Sequence, residues 1–226
     1  PALWDVEDPN LYTVKSLLLK SGEVIDDYKT TFGIRTFRFT ADSGFFLNDR
    51  PLKIRGVCMH HDLGALGAAV NRRAMERQLE MLAQMGCNAI RTSHNPPAPE
   101  LLDLCDSMGF LVMNEAFDVW RKNKSAYDYA MFFEEWHEKD LRDFIVRDRN
   151  HPSVVMWSIG NEVLEQWNNP QADTLDLQQA NLLLNFMAGN DSQVDGDLPF
   201  DALLTRKLAT MVKELDPTRP ITAGCN

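Results

Sequence analysis

The chain has 226 residues, 44% hydrophobic and 25% charged, which suffices for one large domain or a medium domain with part of a second. Acidic residues outnumber basic ones 33 to 23, for a net charge of −10. That balance argues against a nucleic-acid or anionic-membrane surface, since either needs a clustered basic face.

No apolar run approaches the roughly 18 residues of a membrane span. Pro1-Ala2-Leu3-Trp4-Asp5 lacks the basic start and continuous apolar stretch of a secretory signal. Both ends read as cuts in a longer chain, so a periplasmic or secreted setting stays open. Cys58, Cys87, Cys105 and Cys225 form no C-x-x-C and no close His/Cys pair. They read as buried free thiols rather than zinc ligands.

Residues 1–40 have a β texture. Leu11–Leu19, Val24–Tyr28 and Ile34–Phe39 are strand candidates, with a turn at Ser21-Gly22. Two or three strands cannot close a sandwich core, so this segment reads as the end of a β-domain. The texture changes around Thr40–Gly44, and a small hairpin follows: Phe45–Leu47, a turn at Asn48-Asp49-Arg50, then Leu52–Ile54.

From Arg55 onward apolar runs of strand length alternate with helical patterns. The strand candidates are Gly56–Met59, Ala89–Thr92, Phe110–Met113, Val154–Ile159 and Ile221–Ala223. One helix places Met75, Leu79, Leu82 and Met85 on a single face. The next carries Leu101, Leu104, Cys105 and Met108, and a third carries Trp136, Leu141, Phe144 and Ile145. Gly86 and Gly109 each follow a Met just before a strand, as a glycine closing a helix does. Asn168-Asn169-Pro170 and 189–199 read as loops around a further helix over Leu175–Met187. Apolar strands separated by helices indicate a parallel sheet. It fits either a doubly wound sheet or part of a barrel.

The polar residues at the strand ends carry the chemistry. The run from Asp148 to Glu162 passes from a polar helix end into an apolar strand that finishes in Asn161-Glu162. A carboxyl at the C-terminal end of a parallel strand is partly desolvated and can act as a proton donor. It could equally cap a following helix. Asn88–Pro96 sets Arg91 and His94 beyond the second of these strands, where His94 alone would read as a loop hydrogen-bonder. The first strand ends in His60-His61-Asp62 and the third in Glu115, Asp118 and Trp120. Four successive strands thus deliver ionisable groups at the same end.

These two stretches resemble the paired signatures of glycoside hydrolase family 2, the β-galactosidase, β-glucuronidase and β-mannosidase group. Leu3-Trp4, Asn10-Leu11-Tyr12 and Phe32-Gly33-Ile34-Arg35 are similar to the end of that family's immunoglobulin-like domain. The resemblance implies an α/β fold: the last strands of an immunoglobulin-like β-sandwich (1–40), then the first five strands of a TIM (β/α)8 barrel (41–226). It implies a retaining exo-β-glycosidase acting on terminal β-linked sugars, β-galactosidase in type, with β-glucuronidase or β-mannosidase as the nearest alternative. Glu162 would be the general acid/base, Asn161 would bond the sugar 2-hydroxyl, and His60, Arg91 and His94 would line the sugar subsite. No organic cofactor is implied, and homo-oligomerisation is left open.

The sequence departs from the family pattern in three ways. Asn95 stands where a Tyr is usual. Val119 and Arg121 occupy the places of the magnesium ligands of some β-galactosidases, so no comparable metal site is expected. The nucleophilic Glu belongs to strand seven, beyond this chain, so the expectation is that the chain alone shows no turnover. Glu115 and Asp118 are the only substitutes within it. A non-catalytic carbohydrate-binding or structural piece is the reading from a different class.

Overall fold

The computed structural model describes residues 1–163, 165 and 200–224. Its first two strands, β1 (Tyr12–Lys20) and β2 (Glu23–Phe32), form an antiparallel hairpin. The turn falls at Ser21-Gly22, both with positive φ. The expected helix over Leu175–Met187 and the loops at Asn168–Pro170 and 189–199 lie outside the described residues.

Next come β3 (Phe37–Thr40), β4 (Gly44–Leu47) and β5 (Arg50–Pro51), which make a three-stranded antiparallel sheet in the order β3-β4-β5. Both outer strands are shorter than the sequence suggests. Residues 34–36 are not strand, because Arg35 gives its side chain to the carbonyls of Pro152 and Val154, at 2.6 and 2.7 Å. Residues 52–54 leave the sheet after Pro51, which has no N–H to donate. Leu52 N still donates to Phe45 O at 2.9 Å, and beyond it the Asn88 side chain takes over, donating to Lys53 O at 3.0 Å and accepting from Arg55 N at 2.8 Å.

The remaining strands are β6 (Gly56–His60), β7 (Ala89–Ser93), β8 (Leu111–Glu115), β9 (Val154–Asn161) and β10 (Ile221–Gly224). They form one five-stranded sheet in the order β10-β9-β8-β7-β6. The order follows the sequence strand by strand, with helices α1 (Arg72–Gln84), α2 (Pro99–Met108), α3 (Ala130–Asp148) and α4 (Phe200–Leu215) in the connections. A doubly wound sheet would reverse direction at a switch point, and this one does not. Among the described residues no helix is long and apolar enough to cross a membrane.

The chain divides into two compact units, Pro1–Arg91 with Pro97–Met113 and Asp148–Val155, and Thr92–Pro96 with Asn114–Arg147 and Met156–Asn226. The first is centred on Trp4, fully buried against Phe45, Leu47, Ala89, Leu111 and Val155. Its indole Nε1 donates to Asp106 O at 2.7 Å. Gly33 passes so close that a Cβ there would lie 2.7 Å from Pro152 Cγ and 2.9 Å from Trp4 Cβ. In α1 Met75 and Leu79 are buried as expected, but Met85 lies just past the helix as its C-cap and is exposed. Of the described cysteines only Cys105 is buried. Cys58 is exposed because β6 is an edge strand of the sheet.

The core of the second unit contains Trp120, Phe133, Leu141, Phe144, Ile145 and Trp157. Phe144 meets Trp157 edge-on, with centroids 5.3 Å apart. Trp136 is exposed rather than buried, which corrects the helical face read from the sequence. The inward positions are Phe133 and His137. The His137 ring stacks on Phe133 at 4.6 Å and its Nδ1 meets Phe133 O at 2.6 Å. At the base of this unit Trp157 Nε1 and Arg219 Nη1 both donate to Asp216 Oδ2, at 2.8 and 2.6 Å. Burial pushes the Asp216 carboxyl up, but hydrogen bonds from Thr218, Trp157 and Arg219 and the Arg219 charge outweigh it, leaving a pKa of about 2.

Candidate active site

In the second unit, the C-terminal ends of β7, β8 and β9 converge on one polar cluster. Thr92 closes the base, donating through Oγ1 to Asn114 Oδ1 at 3.1 Å and accepting from Glu115 N at 2.9 Å. The Glu115 side chain is wholly buried. One of its oxygens takes His94 Nδ1 at 2.7 Å and the other takes Ser158 Oγ at 2.6 Å. A carboxylate only accepts, so His94 Nδ1 carries the proton of this hydrogen bond.

Asp118 lies a few residues beyond β8. Its Oδ1 accepts from Lys124 Nζ at 2.8 Å and from Asn161 Nδ2 at 3.1 Å. Burial pushes the Asp118 carboxyl up, but the hydrogen bonds from Lys124 and Asn161 and the Lys124 charge hold it below its ordinary value. Glu115 thus has a protein partner on each oxygen, and Asp118 has both of its partners on Oδ1.

Asn161 ends β9 and is buried. Glu162 follows with φ of 45° and donates its backbone N–H to Gly224 O. Among the described residues no hydrogen bond or ion pair engages its half-buried carboxylate. Behind it, Trp120 Nε1 donates to Ile159 O at 2.8 Å, and a Cβ on Gly160 would lie 3.1 Å from that same Nε1. The indole thus braces the strand just before Asn161. Glu165 is buried with its carboxyl pushed up by that burial, although Oε1 accepts from Lys122 N at 2.8 Å.

The expected site residues divide between the units. His94, Asn161 and Glu162 belong to the second, with Glu115 and Asp118. His60 and Arg91 belong to the first. There His60 is the exposed last residue of β6, and Arg91 Nη1 lies 3.8 Å from Cys58 Sγ. Asn95 lines a cavity of about 290 Å³ together with Pro96, Phe117, Asp118, Tyr129 and Arg147. At the places compared with magnesium ligands, Val119 is buried and Arg121 Nε pairs with Glu134 Oε1 at 2.5 Å.

His151, part of the long signature, has a structural role. Its Nδ1 meets Asp106 Oδ2 at 2.6 Å, while Ser153 N donates to Asp106 Oδ1 at 3.0 Å. Burial alone would lower the His151 pKa, but the carboxylates of Asp106, Asp148 and Asp103 raise it. Ser158 and Lys124 are among the contributors that went unread in the sequence. Ser158 sits inside an apolar strand and Lys124 in a polar loop, and neither setting carries a local signal of its partner.

A parallel sheet numbered in chain order, with its ionisable groups gathered at the strand C-termini, is the arrangement of a barrel enzyme. The family model for the TIM barrel domain of glycosyl hydrolases family 2 matches residues 39–226, and a second family 2 model matches residues 1–35. The chain belongs to glycosyl hydrolases family 2, and its five parallel strands are part of that family's TIM barrel domain. It is 63% identical over 229 residues to the β-galactosidase BoGH2A of Bacteroides ovatus, covering all of this chain and 27% of that protein. It is 31% identical to a β-glucuronidase of Bacteroides fragilis, again along its whole length and over 28% of that protein. Among solved structures, a β-glycosidase from Bacteroides vulgatus superposes with a TM-score of 0.81 at 41% identity, covering 99% of this chain and 25% of that one. The chain thus spans about a quarter of the length of the relatives it matches.

Proposed function

We propose that this chain is the acid/base-bearing part of a retaining exo-β-glycosidase of β-galactosidase type, acting on terminal β-linked sugars. The observation that carries the reading is the 63% identity, over the entire chain, to a protein named as a β-galactosidase. The half as large identity to a β-glucuronidase keeps glucuronides as the second substrate class to assay. Residues 1–40 are assigned to the end of an immunoglobulin-like domain and 41–226 to the start of the barrel. The separate family matches over 1–35 and 39–226 support that division.

In this reading Glu162 protonates the glycosidic oxygen and then, as carboxylate, takes a proton from the attacking water. Its place just past the C-terminal end of β9 is where a barrel enzyme puts a proton donor. Asn161 bonds the sugar 2-hydroxyl, and His60, Arg91 and His94 line the sugar subsite. Glu115 holds the His94 ring through Nδ1 and so fixes its orientation toward the subsite. Retention requires a second carboxyl about 5–5.5 Å from the first. The resemblance to the family implies that this second carboxyl, the nucleophile, belongs to strand seven of the barrel, outside this chain.

The test is Glu162→Gln in a full-length protein containing this chain. General acid–base assistance supplies about 10²–10⁴-fold, and an activated leaving group needs little of it. Hydrolysis of an alkyl β-galactoside should fall by that factor, while that of dinitrophenyl β-galactoside falls far less. Equal loss on both substrates counts against the role. Parallel rates on nitrophenyl β-galactoside, β-glucuronide and β-mannoside decide the sugar.

A further inference from the structure

Lys124 leaves the polar loop after β8 and points inward, its side chain only 15% exposed. An ammonium has three N–H donors, and Lys124 has three acceptors. They are Asp118 O at 2.8 Å, Asp118 Oδ1 at 2.8 Å and Asn161 O at 2.6 Å. The last is the carbonyl of the Asn161–Glu162 peptide. The N–H of that same peptide donates to Gly224 O. One peptide plane is therefore held on both sides, immediately before a non-glycine residue with φ of 45°. A left-handed residue of this kind persists where its surroundings over-determine it.

The Asn161 amide is governed by the same group. Asp118 Oδ1, itself anchored by Lys124, receives Asn161 Nδ2 at 3.1 Å. A carboxylate repels the amide oxygen and accepts only from its nitrogen. While Asp118 stays ionised, only one of the two amide orientations is available to Asn161, and its Oδ1 faces away from Asp118. The Lys124 charge is one of the influences that keep Asp118 ionised.

We infer that Lys124, acting through Asp118 and through the Asn161–Glu162 peptide, is a positioning residue that fixes the hydroxyl-binding amide of Asn161 and the carboxylate of Glu162. This rests on the proposed glycosidase reading, in which Asn161 meets the sugar 2-hydroxyl. It also gives Asp118 a task other than nucleophile. Lys124 touches no substrate in this account. Its effect passes through Asn161 and Glu162.

The experiment compares kcat/KM for nitrophenyl β-galactoside and its 2-deoxy analogue in the full-length protein, for the wild type, Lys124→Met, Lys124→Arg, Asp118→Asn and Asn161→Ala. The wild type should favour the 2-hydroxy substrate strongly, and Asn161→Ala should erase most of that preference. Lys124→Met and Asp118→Asn should each shrink the preference at least tenfold, with Lys124→Arg retaining more of it than Lys124→Met. Adding Lys124→Met to Asn161→Ala should shrink it no further, since the two act as one unit. A purely structural lysine would lower both substrates equally, and an unchanged ratio in Lys124→Met and Asp118→Asn overturns the inference. Should Lys124→Met fail to fold, Asp118→Asn reads the same ratio with side-chain shape preserved. A wild type that hydrolyses both substrates equally refutes the hydroxyl-binding role of Asn161 itself. That outcome differs from failure of Lys124 alone.

Discussion

Replacing Glu115 by Leu removes the acceptor on which two elements of the site depend. In the native cluster His94 Nδ1 and Ser158 Oγ sit 2.7 and 2.6 Å from its two oxygens. Hydrogen bonds to a charged group contribute about 1.5–3 kcal/mol and neutral ones about 1 kcal/mol. His94 is partly exposed and can turn to water, so its loss belongs at the lower end of that range. Ser158 is buried and keeps only a 3.3 Å contact to Gly160 O, so it bears nearly the full cost of an unsatisfied hydroxyl. The sum is about 2.5–4 kcal/mol. Amide hydrogen exchange reads this locally as faster exchange by about two to three decades in peptides covering the ends of β7, β8 and β9. Ser158→Ala, which leaves the His94 pair intact, should cost only about 1 kcal/mol. Exchange altered less than threefold by Glu115→Leu would show that the carboxylate does not hold these strand ends together.

Three further outcomes follow from the packing. Gly33→Ala should destabilise the first unit by about 1–3 kcal/mol, because the new methyl lands 2.7 Å from Pro152 Cγ and 2.9 Å from Trp4 Cβ. A drop in melting temperature with Trp4 fluorescence perturbed would register it. Gly160→Ala should push on Trp120 and lower kcat more than KM, since the displaced strand leads straight into Asn161 and Glu162. For Asp216 the folded pKa of about 2 lies below the ordinary carboxylate value of about 3.9. Its contribution is therefore complete above about pH 4 and is lost as pH falls toward about 2. Asp216→Asn should flatten the acid limb of a stability–pH curve.

The central strands β7, β8 and β9 were legible because they are mostly buried on both faces, which leaves no alternation to confuse the reading. Val154–Ile159 is the plainest instance. Helix α3 was half legible. Its inward face includes the polar His137, which interrupts the apolar period, while the exposed Met131, Phe132 and Trp136 supply a false one. The start of β3 and the stretch after Pro51 were overextended because side chains, Arg35 and Asn88, bond distant carbonyls there, and such a choice leaves no periodicity. Asn161 and Glu162 stood out as polar residues closing an apolar strand. Lys124 did not, since a lysine amid Asn and Ser reads as solvated loop, and only the fold reveals its three buried-side acceptors.

The central claim is that Glu162 is the acid/base of a retaining glycosidase, and azide tests it most directly. In a full-length protein containing this chain, Glu162→Ala leaves room beside the sugar and no base to activate water. With dinitrophenyl β-galactoside, added azide should then restore turnover and yield the β-galactosyl azide, because the anion attacks the glycosyl-enzyme from the face Glu162 served. No acceleration by azide, or formation of the α-azide, would contradict the assignment.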